Sequence, residues 1–140
     1  MSQQNVTLVQ SIYEAFARGD VPAVLALFAD DIEWIEADHF PYADGSPYRG
    51  PQAVVNGVFA RLGAEWDGFS VQPKELLDAG DRVVALGTYR GTYKATGKPV
   101  QAQFAHVWSL RAGKAAKFQQ YTDTQQFAQA VGAVAEGAHA

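Results

Sequence analysis

Strict alternation of apolar and polar residues marks the second half of the chain. Between Pro99 and Arg111, the residues Val100, Ala102, Phe104, His106, Trp108 and Leu110 share one parity. Gln101, Gln103, Ser109 and Arg111 share the other, with Ala105 and Val107 interrupting it. A period of two puts each set on its own face of a sheet. Arg111-Ala112-Gly113-Lys114 reads as a short turn into a partner strand that brings Tyr121 and Asp123 as polar tips. Upstream, Phe69, Val71 and Leu76-Leu77 form one strand and Val83 to Tyr93 the next. They are separated by a turn at Ala79-Gly80-Asp81-Arg82 and followed by another at Ala95-Thr96-Gly97-Lys98.

The first half is patterned differently. Val6, Val9, Ile12, Tyr13 and Phe16 recur at spacings of three and four, which predicts an amphipathic helix from about Ser2 to Arg18, stopped by Gly19. Asp20 caps a second helix with Pro22 in its first turn. Ile32 to Glu36 is a short strand with Ile32, Trp34 and Glu36 on one face. The irregular segment Ala37 to Pro51 has the length of a lid or binding loop, in which Tyr42 and Tyr48 are either lid contacts or surface residues. Gly50-Pro51 opens a third helix carrying Val54, Val55, Val58, Phe59 and Leu62, with Gly63 as its stop. Thr124 caps a last helix from Gln125 to about Val131, and the Ala/Gly-rich tail is expected to fray.

The order α-α-β-α-β-β-β-β-α predicts an α+β fold, with helices packed on one face of a curved antiparallel sheet and a cavity between them. One domain over residues 1–132 followed by a tail over 133–140 is the expected organisation; no repeat or linker interrupts it.

Composition narrows the chemistry. The 140 residues carry a formal net charge of −4 with no basic block, which argues against nucleic acid or an anionic membrane surface as partner. No cysteine is present, so thiolate nucleophiles, disulfides and cysteine metal sites are excluded. His39, His106 and His139 have no ligand-pair spacing, so no metal is expected. The first residues lack a signal-peptide pattern and no apolar run reaches membrane length, so the expected compartment is the cytoplasm.

One residue stands out. His106 sits in the middle of an apolar strand face, where an unpartnered imidazole would cost a few kcal/mol. A lone histidine there is more often a satisfied core residue than a catalyst, yet a curved sheet mixing aromatics with a few titratable groups is a natural small-molecule pocket. Asp123 is read either as a helix cap or as the partner of His106, and Glu36 either as a solvated strand-end carboxylate or as a second pocket carboxylate. Trp34, Phe59, Phe104, Trp108 and Tyr121 are core first and ligand contacts second. Arg90 and Lys94 read as solvated edge charges.

The fragments LVQSIYEAFARGD at 8–20, LFADDIEW at 27–34, YRGPQAV at 48–54 and HVWSLRAGKAAKFQQYTDT at 106–124 together resemble the SnoaL-like proteins of the nuclear transport factor 2-like superfamily, which includes ketosteroid isomerase. The resemblance implies a cone-shaped fold, a curved, mostly antiparallel sheet wrapped around helices with an internal pocket. That fold hosts cyclases, isomerases, epoxide hydrolases, dehydratases and non-catalytic binding modules. Ketosteroid isomerase combines an Asp base with an oxyanion hole of a Tyr and a protonated Asp. Its base is implied at Glu36, its protonated Asp at His106, and its Tyr at Ile12, one residue before Tyr13. A one-residue shift turns a helical side chain by roughly 100°, so Tyr13 could point either way. SnoaL-like cyclases imply instead an acid/base pair of Asp123 and His106. Limonene epoxide hydrolase implies a second carboxylate near Arg90, which Arg90-Gly91-Thr92 lacks.

Two readings result. The first is a cofactor-free acid/base enzyme of isomerase, cyclase or dehydratase type on a small apolar carbonyl compound, using His106, Asp123 and Glu36 in a pocket with Tyr13, Trp34, Phe59, Phe104, Trp108 and Tyr121. The alternative is a non-catalytic ligand-binding or dimerisation module, with epoxide hydrolysis a minor third. Parity puts Ala85, Tyr89, Ala105 and Val107 on the outer sheet face, apolar enough to predict a homodimer through it.

Overall fold

The computed structural model describes residues 2–132. The tail expected over 133–140, with His139, lies outside the described residues. Six strands, β1 (Phe28–Ile35), β2 (Tyr48–Arg49), β3 (Trp66–Asp78), β4 (Arg82–Tyr93), β5 (Pro99–Arg111) and β6 (Lys114–Thr122), form one sheet in the order β2-β1-β6-β5-β4-β3. All neighbours are antiparallel except β1 and β6, which run parallel. The helices α1 (Ser2–Ala17), α2 (Val21–Leu25), α3 (Pro51–Val54), α4 (Ala60–Glu65) and α5 (Thr124–Val131) complete it. The sheet is therefore mixed and curved, as the resemblance implies.

Local chemistry sets most boundaries. Asp20 accepts the Ala23 N–H at 3.2 Å and so caps α2. Several boundaries differ from expectation: β1 begins at Phe28 and not at Ile32, and Tyr48–Arg49, inside the segment read as irregular, pairs with it as a sixth strand. Gly63 does not end its helix, which continues to Glu65 and passes directly into β3 as the buried Trp66 takes extended geometry. The last helix begins at Thr124 itself, with Asp123 in the cap position but making no side-chain cap bond.

Between α3 and α4, residues Val55–Phe59 widen into a π-helical turn. Such turns redirect side chains by inserting one residue into the helical ladder. Here the widening coincides with Gly57, whose backbone faces the Tyr48 ring so closely that a Cβ there would stand 2.1 Å from Tyr48 Cε1.

The core lies between the inner sheet face and α1, α2 and the α3–α4 run. Val9, Val24, Ile32, Val54 and Val83 are completely buried in it. Apolar burial of this kind is worth roughly 25 cal/mol per Å², and it fixes which side of each strand faces inward.

In β4 that side is the opposite of the expected one. Ala85 and Tyr89 are buried at 0% and 4% exposure, and Val83 lies on their parity. Val84 and Leu86, with Ala105 and Val107 on β5, occupy the outer face instead. The reason is visible in the polar residue of the other set, since Arg90 shares parity with Val84 and Leu86 and must reach solvent.

Candidate functional site

His106 is held at the centre of the inner face, opposite Ala85 of β4 and Gln120 of β6. Both ring nitrogens are engaged. The Tyr13 hydroxyl lies 2.6 Å from Nδ1, and the Tyr89 hydroxyl makes a short hydrogen bond with Nε2. Phe104 stacks on the ring at a centroid distance of 4.0 Å. Completely buried and without a charged partner, the imidazole is pushed well below its ordinary pKa and is neutral.

The two phenols have partners of their own. Trp108 Nε1 donates to the Tyr13 oxygen at 2.9 Å, and Gln120 Nε2 donates to the Tyr89 oxygen at 3.0 Å. Gln120 is oriented by its other end, where Oε1 accepts the Ala37 N–H at 3.0 Å. Burial drives both phenols upward, so both stay protonated. Tyr13 therefore points into the site. So does Ile12, one residue earlier, because the inner face of α1 spans both.

Glu36 closes the other side. It is 3% exposed, and its Oε2 accepts the Trp34 indole N–H at 3.0 Å. Its Oε1 has no partner, and it is the one buried side-chain polar atom in that condition among the described residues. Its backbone N–H is fixed by Ser46 Oγ at 3.0 Å. Desolvation pushes the carboxyl up to about 8, against the opposing pull of the Trp34 N–H and the more distant Arg61 charge.

These groups surround one cavity. Its walls include Tyr13, Trp34, Glu36, Tyr89, His106 and Gln120. Phe16, Phe59, Phe69 and Val71 keep partial contact with solvent and mark its mouth. The free volume is about 50 Å³, small beside the roughly 300–1,000 Å³ of a drug-sized ligand pocket. Trp34, Phe118 and Trp108 occupy the floor in close ring contact, Trp34 and Phe118 at 3.7 Å. A ligand larger than a few atoms must therefore displace the aromatic mouth.

The expected pocket residues Trp34, Phe59 and Trp108 line this cavity, and Phe104 backs the imidazole. Tyr121 and Asp123 do not join them. Tyr121 is 56% exposed, because β6 turns Phe118 and Gln120 inward and leaves Lys117, Gln119 and Tyr121 on the outer parity. Asp123 continues that parity past the strand end and is exposed. The anticipated His106–Asp123 pair is thus not formed, and with it goes the carboxylate that the cyclase pattern placed here. Tyr89 and Gln120 are the residues that sequence reasoning missed.

The loop before α3 is also tied down. Tyr42 and Tyr48 are 1% and 8% exposed. Tyr42 donates to Glu65 Oε1 at 2.6 Å and accepts the Trp66 indole N–H at 3.1 Å. Arg61 lies 4.2 Å over the Tyr42 ring and grips both Asp44 oxygens, at 2.8 and 3.0 Å. Both tyrosines are anchors, and the loop is a fixed wall near Glu36. Arg90 and Lys94 stay outside, with Arg90 bonded to Gln101 and Lys94 near Asp67. Among the described residues no group of three His, Asp or Glu side chains could hold a metal ion, and no described helix is long and apolar enough to cross a membrane.

A family model described as a SnoaL-like domain matches residues 9–118. Among solved structures, an NTF2-like protein from Burkholderia thailandensis is 44% identical over 90% of this chain and 95% of its own, with a TM-score of 0.86. TerC, co-crystallised with polyporic acid, is 25% identical over 92% and 98%, with a TM-score of 0.81. A putative polyketide cyclase from Xanthomonas campestris shares the fold at 24% identity over 92% and 97%, with a TM-score of 0.76. No curated protein matches the sequence.

Proposed function

The chain belongs to the SnoaL-like family, with the NTF2-like fold, and from that premise we propose that it is a cofactor-free acid/base enzyme acting on a small, largely apolar carbonyl compound. The observation that carries this reading is Glu36, a buried carboxyl that lines the cavity, with one oxygen tied to Trp34 and the other unpartnered. Leaving such an atom unpaired costs about 1–3 kcal/mol. A core selected for packing alone would fill the site with an apolar residue.

A carboxyl held near 8 is matched to proton transfer at neutral pH. As carboxylate it removes a proton next to a carbonyl; the C–H electron pair becomes the new C=C bond of an enolate, and the charge moves to oxygen. As carboxylic acid it returns the proton at the same or another carbon, or to a departing hydroxyl. Isomerisation, cyclisation and dehydration share this first step. Two structures of this fold carry names within that range, a putative polyketide cyclase and a putative isomerase. His106 acts in this scheme through Tyr13 and Tyr89, since both its nitrogens are occupied.

The test is exchange of α-protons for solvent deuterium, followed by proton NMR on a panel of cyclic and aryl ketones. Wild type exchanges at least one of them above the buffer rate, and Glu36→Gln loses about 100-fold or more, the usual worth of a general base. Ligands that bind without any exchange would sink the enzyme reading. That outcome would favour the second one, a non-catalytic binding or dimerisation module, for which the small free volume of about 50 Å³ speaks.

The same reading extends to a homodimer through the outer sheet face. Val84, Leu86, Ala105 and Val107 lie there, joined by Leu77 and Tyr121, which are 41% and 56% exposed. Their contiguity across β3, β4, β5 and β6 supports a second copy as the covering partner.

A further inference from the structure

We infer that the Tyr89 hydroxyl is the ligand-facing hydrogen-bond donor of this site, and that the bound compound places a carbonyl, enolate or phenolic oxygen on it with its reacting C–H or O–H toward Glu36. The inference rests on the acid/base reading and adds to it a residue, a direction and a ligand geometry.

The argument is a proton count. Tyr13, neutral His106 and Tyr89 form a chain joined by two hydrogen bonds. A neutral imidazole has one N–H and each phenol one O–H, so the chain holds three such protons and its two bonds use two of them. One proton is always left over, on the phenol at one end. The outer contacts cannot absorb it. The Trp108 indole is donor only and gives its hydrogen to Tyr13. Gln120 is committed as donor to Tyr89 because its carbonyl oxygen is taken by the Ala37 N–H.

The tautomer of His106 decides which end. With the proton on Nδ1, Tyr89 donates to Nε2 and the spare O–H belongs to Tyr13. With the proton on Nε2, Tyr13 donates to Nδ1 and the spare O–H belongs to Tyr89. Once ionised, Glu36 presents a buried acceptor lacking a donor, Oε1, and its charge then acts electrostatically on the Tyr89 hydroxyl. A spare donor and a spare acceptor in one apolar cavity stabilise each other's placement, which selects the Nε2–H tautomer. The two are not bonded to each other. A ligand oxygen that accepts from Tyr89 while its neighbouring hydrogen faces Glu36 satisfies both.

In the reaction the pieces balance without a further reagent. Glu36 takes the proton, the enolate oxygen gains the charge, and Tyr89 hydrogen-bonds to that oxygen while keeping its own proton. Burial holds the Tyr89 phenol strongly protonated, so it stabilises charge by donation and not by transfer. His106 and Gln120 are positioning residues: both donate to the Tyr89 oxygen, fixing its remaining O–H toward the cavity.

Two measurements test this on the intact protein. Long-range 1H–15N NMR of wild type at a pH above 8, where Glu36 is ionised, reads the tautomer without any ligand; Nε2 protonated and Nδ1 bare is the expected result, and a protonated Nδ1 overturns the assignment to Tyr89. 4-Nitrophenol then serves as a probe whose absorbance reports its ionised form. Tyr89→Phe should weaken its binding about tenfold to a hundredfold, the worth of a hydrogen bond to a charged acceptor, and Tyr13→Phe by no more than about threefold. Equal losses in the two variants, or no binding to wild type at millimolar probe, overturn it. Glu36-dependent α-proton exchange alongside a protonated Nδ1 would leave the acid/base reading standing and remove the Tyr89 donor alone.

Discussion

The indole of Trp34 donates to one oxygen of Glu36, two residues along, at 3.0 Å, and leaves the other oxygen buried without a partner. Both side chains face inward because the strand alternates, so Trp34 supplies at once the apolar wall that raises the carboxyl and the hydrogen bond that restrains it. Removing only the bond separates the two effects. Trp34→Phe should push Glu36 above about 8 by roughly one further unit, the worth of one net hydrogen bond. Carboxyl 13C NMR reads the midpoint; an unchanged or lower value would show that the bond does not restrain the charge.

Stability should depend on pH through two buried groups of opposite sign. Glu36 is raised from 4.5 to about 8 on folding, so the unfolded chain releases its proton first and stability falls as pH rises from about 4.5 through 8. His106 is depressed below 6.5, so the unfolded chain binds a proton first and stability falls as pH drops below about 6.5. Between those ordinary values the two slopes oppose each other. Glu36→Gln should therefore flatten the alkaline limb and unfold at higher denaturant than wild type at pH 8, with the advantage vanishing below pH 4.5. Chemical unfolding at several pH values checks this, and an advantage independent of pH would contradict it.

The loop wall near Glu36 depends on a missing methyl group. The Tyr48 ring occupies the space a Cβ on Gly57 would take, while its hydroxyl donates to the Tyr42 carbonyl at 2.7 Å. Gly57→Ala must expel that ring or distort the π-helical turn. A loss of about 2–4 kcal/mol is expected, within the range for overpacked or broken buried contacts. Thermal unfolding measures it, and a change under about 0.5 kcal/mol would mean the helix accommodates the methyl without moving Tyr48.

Outer-face residues should control association. Leu86→Lys and Val107→Glu each place a charge in the middle of the apolar patch and should convert a dimer to a monomer without altering the fold. Light scattering at micromolar concentration decides; a monomeric wild type would remove the dimer.

Where the sequence was legible, periodicity was unambiguous. The inner set on β5 is uniformly apolar around His106, so its direction could be read directly, whereas Glu36, just past the end of β1, read equally as a solvated strand-end carboxylate, since a single charge there carries no apolar period. In β4 both parities contain apolar residues, and the deciding signal was a single charge: Arg90 shares its set with Val84 and Leu86, which sends Tyr89 inward. In β6 the same office falls to Lys117, which sends Tyr121 outward and brings Gln120 to the site. Aromatic character alone says nothing of direction, since a tyrosine suits either face. The hydrogen-bond chain from Trp108 through His106 to Gln120 joins residues up to 95 positions apart in sequence. No local pattern encodes such a chain; it exists only once α1 packs on β3 and β4 and carries Tyr13 to His106 and Trp108 on β5.

The measurement that bears most directly on the proposed chemistry is the carboxyl 13C titration of Glu36 in the wild-type protein. A midpoint near 8 is expected, with the signal lost in Glu36→Gln. A midpoint near 4.5 would mean that the carboxyl is solvated and ordinary, and the cavity would lose its acid/base group.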